Sequence, residues 1–154
     1  MSDALTIRAA EPADAGGWLE MRRALWPEED EDGDGTHAAE IDQYFAGTIN
    51  NPLVVLIAFD GRQAVGFVEL SIRNYAEDCV TDRVAYLEGW YVVPQQRRRG
   101  VGRALVAAAE DWAQAQGCTE FGSDAVLDNL TSAVAHRALG FEETAQIRCF
   151  KKRL

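Results

Sequence analysis

The chain has 154 residues, of which 47% are hydrophobic and 26% charged, and it carries a net charge of −10. That length and composition favour one globular domain spanning residues 1–154. The acidity argues against nucleic acid as a partner, because phosphate backbones are bound by excess positive charge; it either steers cationic partners or only keeps the protein soluble.

Leu5-Thr6-Ile7-Arg8 alternates apolar and polar residues and reads as a first strand. Glu11 to Asp14 then starts a helix that carries Trp18, Met21 and Leu25 on one face, and Pro27 stops it. Residues 28 to 34 hold six carboxylates in seven positions and read as a solvated loop, or as an acidic rim over a site for a polycation. A second helix is predicted from His37 to Ala46, with Ile41, Tyr44 and Phe45 inward. Leu53 to Phe59 and Ala64 to Ile72 read as two strands of a hairpin, with Asp60-Gly61 as the turn. Arg73 to Arg83 is a polar loop. Val84 to Val93 is the next strand; strict alternation puts Val84, Tyr86, Glu88, Trp90 and Val92 on one face, unless Gly89 marks a bulge.

The stretch Arg97-Arg98-Arg99-Gly100-Val101-Gly102-Arg103 follows this strand and holds four of the 15 basic residues. It opens a helix from Val101 to Gln116. Glycines that leave backbone N–H groups bare, a helix N-terminus and a cluster of guanidinium groups together suit a pyrophosphate. The absence of a Gly-Lys-Ser/Thr ending removes the P-loop reading. Cys118 to Asp124 reads as a short strand, parallel to the one before the helix. Asn129 to Leu139 reads as a helix with Leu130, Val134 and Ala138 inward, ended by Gly140. Gln146 to Phe150 reads as a last strand. No run approaches the ~18 apolar residues of a membrane span, and Met1 to Ala4 lacks the basic and apolar regions of a signal peptide, so the cytoplasm is expected. Three widely spaced cysteines and two histidines favour neither a disulfide framework nor a metal site.

Arg97-x-x-Gly100-x-Gly102 behind a strand ending in Val92-Val93-Pro94, with Leu139-Gly140-Phe141 about forty residues on, resembles the GNAT acyl-CoA N-acyltransferases. Leu25-Trp26-Pro27, Ser71-Ile72-Arg73, Tyr86-Leu87-Glu88-Gly89, Ser123-Asp124 and Gly140-Phe141-Glu142-Glu143-Thr144 further resemble the short, dimeric aminoglycoside 6'-N-acetyltransferases of bacteria. The resemblance implies a mixed α/β fold: a largely antiparallel sheet whose central parallel pair splays around acetyl-CoA, flanked by helices. It implies acetyl transfer to a primary amine, no metal, and a homodimer. One position departs from the family: Ala145 stands where relatives carry an acidic residue that reaches the substrate site, which bears on substrate range and subunit contact.

On that resemblance the backbone from Arg98 to Arg103 would cradle the pyrophosphate, with Arg97, Arg98, Arg99 and Arg103 as charge partners and Gly100, Val101 and Gly102 in the turn. The pantetheine arm would pair with the backbone of Tyr91, Val92 and Val93, and the Val92 amide would stabilise the oxyanion, worth roughly 3 kcal/mol. Asn129 resembles a cofactor-contacting Asn and also reads as an N-cap. Glu88 is the first candidate base and Asp124 the second; both would bind the ammonium group. His136 stands where many GNAT proteins have a Tyr, and reads either as a proton donor or hydrogen-bond partner to the thiolate, or as a contact to the last turn of its own helix. Trp26 and Tyr75 match positions that contact an aminoglycoside. Two other readings remain open: acetylation of a polyamine, protein N-terminus or lysine, and a non-catalytic acyl-CoA-binding regulator.

Overall fold

A computed structural model of the chain describes residues 4–27 and 35–154. The acidic stretch 28–34 lies outside the described residues. The elements run β1 (Leu5–Ala9), α1 (Ala15–Leu25), α2 (Thr36–Ala46), β2 (Val54–Asp60), β3 (Gln63–Arg73), β4 (Val84–Val92), α3 (Val101–Ala115), β5 (Phe121–Ser123) and α4 (Leu130–Ala138), with single 3-10 turns at Pro12–Asp14 and Pro94–Gln96. The five strands form one sheet in the order β1-β2-β3-β4-β5. All neighbours are antiparallel except β4 and β5, which are parallel and pair only from Ala85↔Phe121 to Leu87↔Ser123.

β3 and β4 are mostly apolar on both faces because both faces are covered. Val68, Leu70 and Leu87 pack under Leu105, Val106 and Ala109 of α3. Ile57 and Phe67 pack on the other face against Trp18 and Met21 of α1 and Ile41 of α2. Burial of each such side chain supplies roughly 1.5–3 kcal/mol, and this fixes where the helices lie.

Gly89 does mark a bulge. Glu69 pairs with Gly89 and Leu70 with Leu87, so Glu88 is the extra residue of β4. The strict alternation therefore breaks. Tyr86 and Glu88 face the α1/α2 side, whereas Trp90 and Val92 face α3. The hairpin turn falls one residue later than expected. Asp60 pairs with Gln63, leaving Gly61-Arg62 as the turn, with Gly61 at φ 61°.

Three expectations fail at the C-terminal end. The strand at Cys118 to Asp124 shrinks to Phe121–Ser123. Leu130 and Val134 are not inward: they are 71% and 64% exposed, and Ala138 is exposed as well. α4 turns a different face to the sheet, braced by His136 and by Leu139 just beyond its end, so its larger aliphatic residues point outward. No strand forms at Gln146 to Phe150, because this segment makes no ladder with the described residues; Ile147 and Phe150 stand exposed.

Candidate active site

The parallel pair ends at Leu87↔Ser123, and beyond it β4 continues without β5. Val93 N–H donates to the Val65 carbonyl at 2.9 Å. By strand alternation the polar groups of Val92 point the opposite way, into the gap. The Val92 carbonyl accepts there from Arg97 Nε at 2.8 Å. Of the backbone expected to receive an extended arm, the Val92 amide faces the gap, while the Val93 amide is committed to β3.

The Arg97–Arg103 turn closes the same end. Gly100 is the N-cap of α3 at φ 87°, a left-handed conformation that a side chain would strain, and among the described residues no side chain caps the helix. Arg98 also sits left-handed, at φ 62°. The first-turn amides of α3 therefore have no side-chain acceptor among the described residues, which is the donor set an anion requires. Gly102 has a packing reason: a Cβ there would come 3.2 Å from the Trp90 indole. Arg97, Arg98, Arg99 and Arg103 are all exposed. The residues present thus fit a pyrophosphate with an extended amide-bearing arm.

Asn129 caps α4, its side chain accepting from Ser132 N–H at 3.1 Å. His136 spans from α4 to β5. Its Nδ1–H donates to the Ser132 carbonyl at 2.7 Å, and Nε2 lies 2.8 Å from Ser123 Oγ. Both ring nitrogens are thus paired, and the ring packs edge-on against Trp90 and Phe141. Gly140, at φ 91°, ends α4 and lets Phe141 fold back so that its N–H donates to the His136 carbonyl at 3.1 Å.

On the α1/α2 side of the bulge the structure gathers the two carboxylates. Glu88 accepts from Arg73 through both oxygens, Nε at 2.9 Å and Nη2 at 2.7 Å, and from the Ser71 hydroxyl. The Arg73 guanidinium carbon lies 3.5 Å from the centre of the Tyr86 ring. Tyr86 O–H donates to Asp124 Oδ2 at 3.0 Å. Burial, and then the Asp124 carboxylate, push the Tyr86 phenol far above its usual range, so it remains a donor. The Glu88 hydrogen bonds raise the Arg73 guanidinium still further above its ordinary value. Gly122 makes room for this platform: a Cβ there would sit 2.9 Å from the Tyr86 ring.

Trp26 lies on the backbone at Gly89, where a Cβ would come 2.7 Å from its ring. Its floor is a buried ionic group. Arg22 meets Glu69 at 3.3 Å and Glu40 at 2.7 Å, and its guanidinium sits 5.2 Å from the Trp26 ring. His37 is fully buried, stacks on Trp26 and donates from Nε2 to its carbonyl at 2.9 Å. Tyr75 is 65% exposed in the loop after β3.

Sequence reading missed Ser71, Arg73, Tyr86, Arg22 and Glu69 as parts of this site. One signal was present: Glu69, Ser71 and Arg73 recur with period two inside a strand that is otherwise apolar on both faces. Three polar side chains on one face of a buried strand imply polar partners opposite, here Glu88 for Ser71 and Arg73 and Arg22 for Glu69.

The Acetyltransferase (GNAT) family model matches residues 18–141. The chain belongs to the GNAT acetyltransferase family. It is 52% identical to an aminoglycoside N(6')-acetyltransferase type 1 of Klebsiella aerogenes over the whole of both chains. It is 40% identical to the same-named protein of Acinetobacter haemolyticus over 97% of this chain and 99% of that one. Among solved structures it is similar to AAC(6')-Iy in complex with the bisubstrate analog CoA-S-monomethyl-acetylneamine, with TM-score 0.87 and 33% identity over 99% of this chain and 100% of the other. AAC(6')-Iy in complex with CoA matches with TM-score 0.89 and 33% identity over 100% of this chain and 98% of the other. The expected mixed α/β GNAT fold and the family resemblance are both borne out.

Proposed function

We propose that this GNAT chain transfers the acetyl group of acetyl-CoA to the 6'-amino group of aminoglycosides, as a cytoplasmic homodimer. The observation that carries the reading is the joining of two carboxylates, Glu88 and Asp124, through Arg73 and Tyr86 beside the gap where β4 leaves β5. The names borne by relatives 40–52% identical over nearly the whole chain support the substrate class.

Acetyl-CoA supplies an acetyl thioester, whose thiol leaving group has a pKa of ~8.5 and needs little acid assistance. The first-turn amides of α3 and the surrounding arginines hold its pyrophosphate. The Val92 amide donates to the thioester carbonyl oxygen and stabilises the charge that develops there. Glu88 and Asp124 bind the ammonium group. Glu88 takes its proton, directly or through water, with Asp124 the second acceptor. Trp26 and Tyr75 offer aromatic faces to the sugar rings. Asn129 caps α4, and His136 ties that helix to β5 through Ser123; His136 would reach the sulfur only by giving up that bond.

The dimer reading rests on the outward Leu130 and Val134 of α4, on the exposed Val126, Leu127, Ile147 and Phe150, and on the resemblance. Exposed aliphatic residues grouped on one helix face mark an interaction surface. The cytoplasm follows from the need for acetyl-CoA.

The test mixes purified protein and acetyl-CoA with a 6'-amino aminoglycoside, its 6'-hydroxy analogue, spermidine or peptides, and follows thiol release. Release with the 6'-amino compound alone is expected. Release with peptides only would overturn the reading, and equal rates with the 6'-hydroxy analogue would overturn the regiochemistry. No release with any amine would leave an acyl-CoA-binding regulator.

A further inference from the structure

Glu88 has its carboxylate largely filled before any substrate arrives. A carboxylate offers about four lone-pair sites. Arg73 takes two through its fork and Ser71 takes a third. A base held in a bidentate pair with a guanidinium is poorly placed to accept a proton from an ammonium group, and an ammonium group brought to it meets a cation already seated.

The surroundings of Arg73 are those of a group that can leave. Its side chain is 39% exposed, whereas that of Glu88 is 16% exposed. Arg73 is the last residue of β3, and the next two residues, Asn74 and Tyr75, are exposed. The guanidinium already lies flat enough on Tyr86 for its carbon to be 3.5 Å from the ring centre. Rotation of its last torsions would free Glu88 while the cation keeps the aromatic face and the attraction of Asp124, which is bonded to that same ring's hydroxyl. The fork and the planar stack are both properties of arginine that lysine lacks.

We infer that Arg73 is a resident counter-cation: it neutralises Glu88 in the amine-free enzyme, and the ammonium group of the substrate displaces it from Glu88 while it keeps the face of Tyr86. This rests on the acetyl-acceptor reading above and deepens it. Two consequences follow. The free enzyme keeps its carboxylate pair without an uncompensated charge in a half-buried site. The amine binds with an affinity reduced by the occupancy of its seat, as for any competent state that is only partly populated.

The experiment measures binding of a 6'-amino aminoglycoside to the CoA-saturated protein by titration calorimetry, which needs no turnover. Arg73→Gln should bind it roughly two- to fivefold more tightly than the parent chain, the scale set by one ion pair near the surface. In a Glu88→Gln background the gain should vanish, since the seat itself is gone. Guanidinium chloride should weaken binding to Arg73→Gln more than sodium chloride at equal ionic strength, while the parent chain responds to both salts alike. Arg73→Lys, which keeps the charge without the fork, should bind less tightly than Arg73→Gln. Unchanged or weaker binding by Arg73→Gln, or a gain that persists without Glu88, overturns the inference and leaves the acceptor reading standing. Failure of every protein to bind the aminoglycoside overturns both.

Discussion

Downstream of the bulge β4 offers main chain: the Val92 amide in the gap, and beyond it the uncapped first turn of α3. Upstream it offers side chains: Glu88 in the fork of Arg73, and Tyr86 between Arg73 and Asp124. The donor end is thus built from groups every residue carries, held by the conformation of Gly100 and the packing of Gly102 on Trp90. The acceptor end depends on residue identity at each position. One extra residue, Glu88, separates the two by reversing which face the following side chains occupy. Side-chain substitution should therefore be severe at the acceptor end and mild at the donor end, where backbone conformation should matter more.

The largest expected effect is at Glu88. Glu88→Gln keeps the shape and removes the charge, and kcat/KM for the amine should fall about 100- to 10,000-fold, the range for a general base, with KM for acetyl-CoA little changed. Steady-state kinetics with each substrate varied in turn checks this. A loss shared equally by both substrates would mean that the two ends are not separable. Next comes the floor under Trp26. Arg22→Met leaves the Glu69 carboxylate, only 1% exposed, without that guanidinium. Removing one partner of a buried pair costs about 3–5 kcal/mol, or roughly 6–20 °C in Tm for a chain of this size. Thermal unfolding measures it, and replacing Glu69 with Leu in the same chain should recover much of the loss.

These two sites differ in how far the sequence reveals them. The donor end is legible because its signals are local: consecutive arginines, Gly100, Gly102 and a helix that begins at once. Gly140-Phe141 is equally local. Glu88 and Asp124 are legible as charges near strands, and the resemblance adds their roles. The Arg73–Glu88 fork is not legible, because it joins residues on two strands whose register depends on a bulge. A Gly inside a strand allows a bulge without specifying which residue is extra. The outward face of α4 escapes for a related reason. Leu130, Val134 and Ala138 have the spacing of a buried face, and periodicity cannot distinguish burial in the chain's own core from cover by another surface. The segment Gln146 to Phe150 alternates like a strand, yet a strand needs an edge to pair with, and pattern alone does not supply one.

At the donor end the sharper test is conformational. Gly100→Ala puts a Cβ at φ 87°, where a left-handed residue costs roughly 1–2 kcal/mol. That strain is relieved if the turn shifts, so the expected outcome is a raised KM for acetyl-CoA together with a few degrees lost in Tm. An unchanged KM would detach the turn from cofactor binding. The change should leave the relative rates with different amines as they were.

The smallest effects should come from single arginines of the same turn. Arg99→Gln or Arg103→Gln removes one exposed guanidinium while every backbone N–H stays in place. An exposed charge contributes about 0.2–1 kcal/mol to such an interaction, so KM for acetyl-CoA should rise by a factor of roughly 1.4 to 5. The difference should shrink as salt is added, because charges at the surface are screened over ~8–10 Å at ordinary ionic strength. The Gly100→Ala effect should persist in salt, since strain in the main chain is not screened. Measuring both variants across one salt series therefore separates charge from conformation. A single arginine that costs a hundredfold, and does so equally at high salt, would mean that the donor end also relies on one side chain, and its contrast with the Glu88 end would be lost.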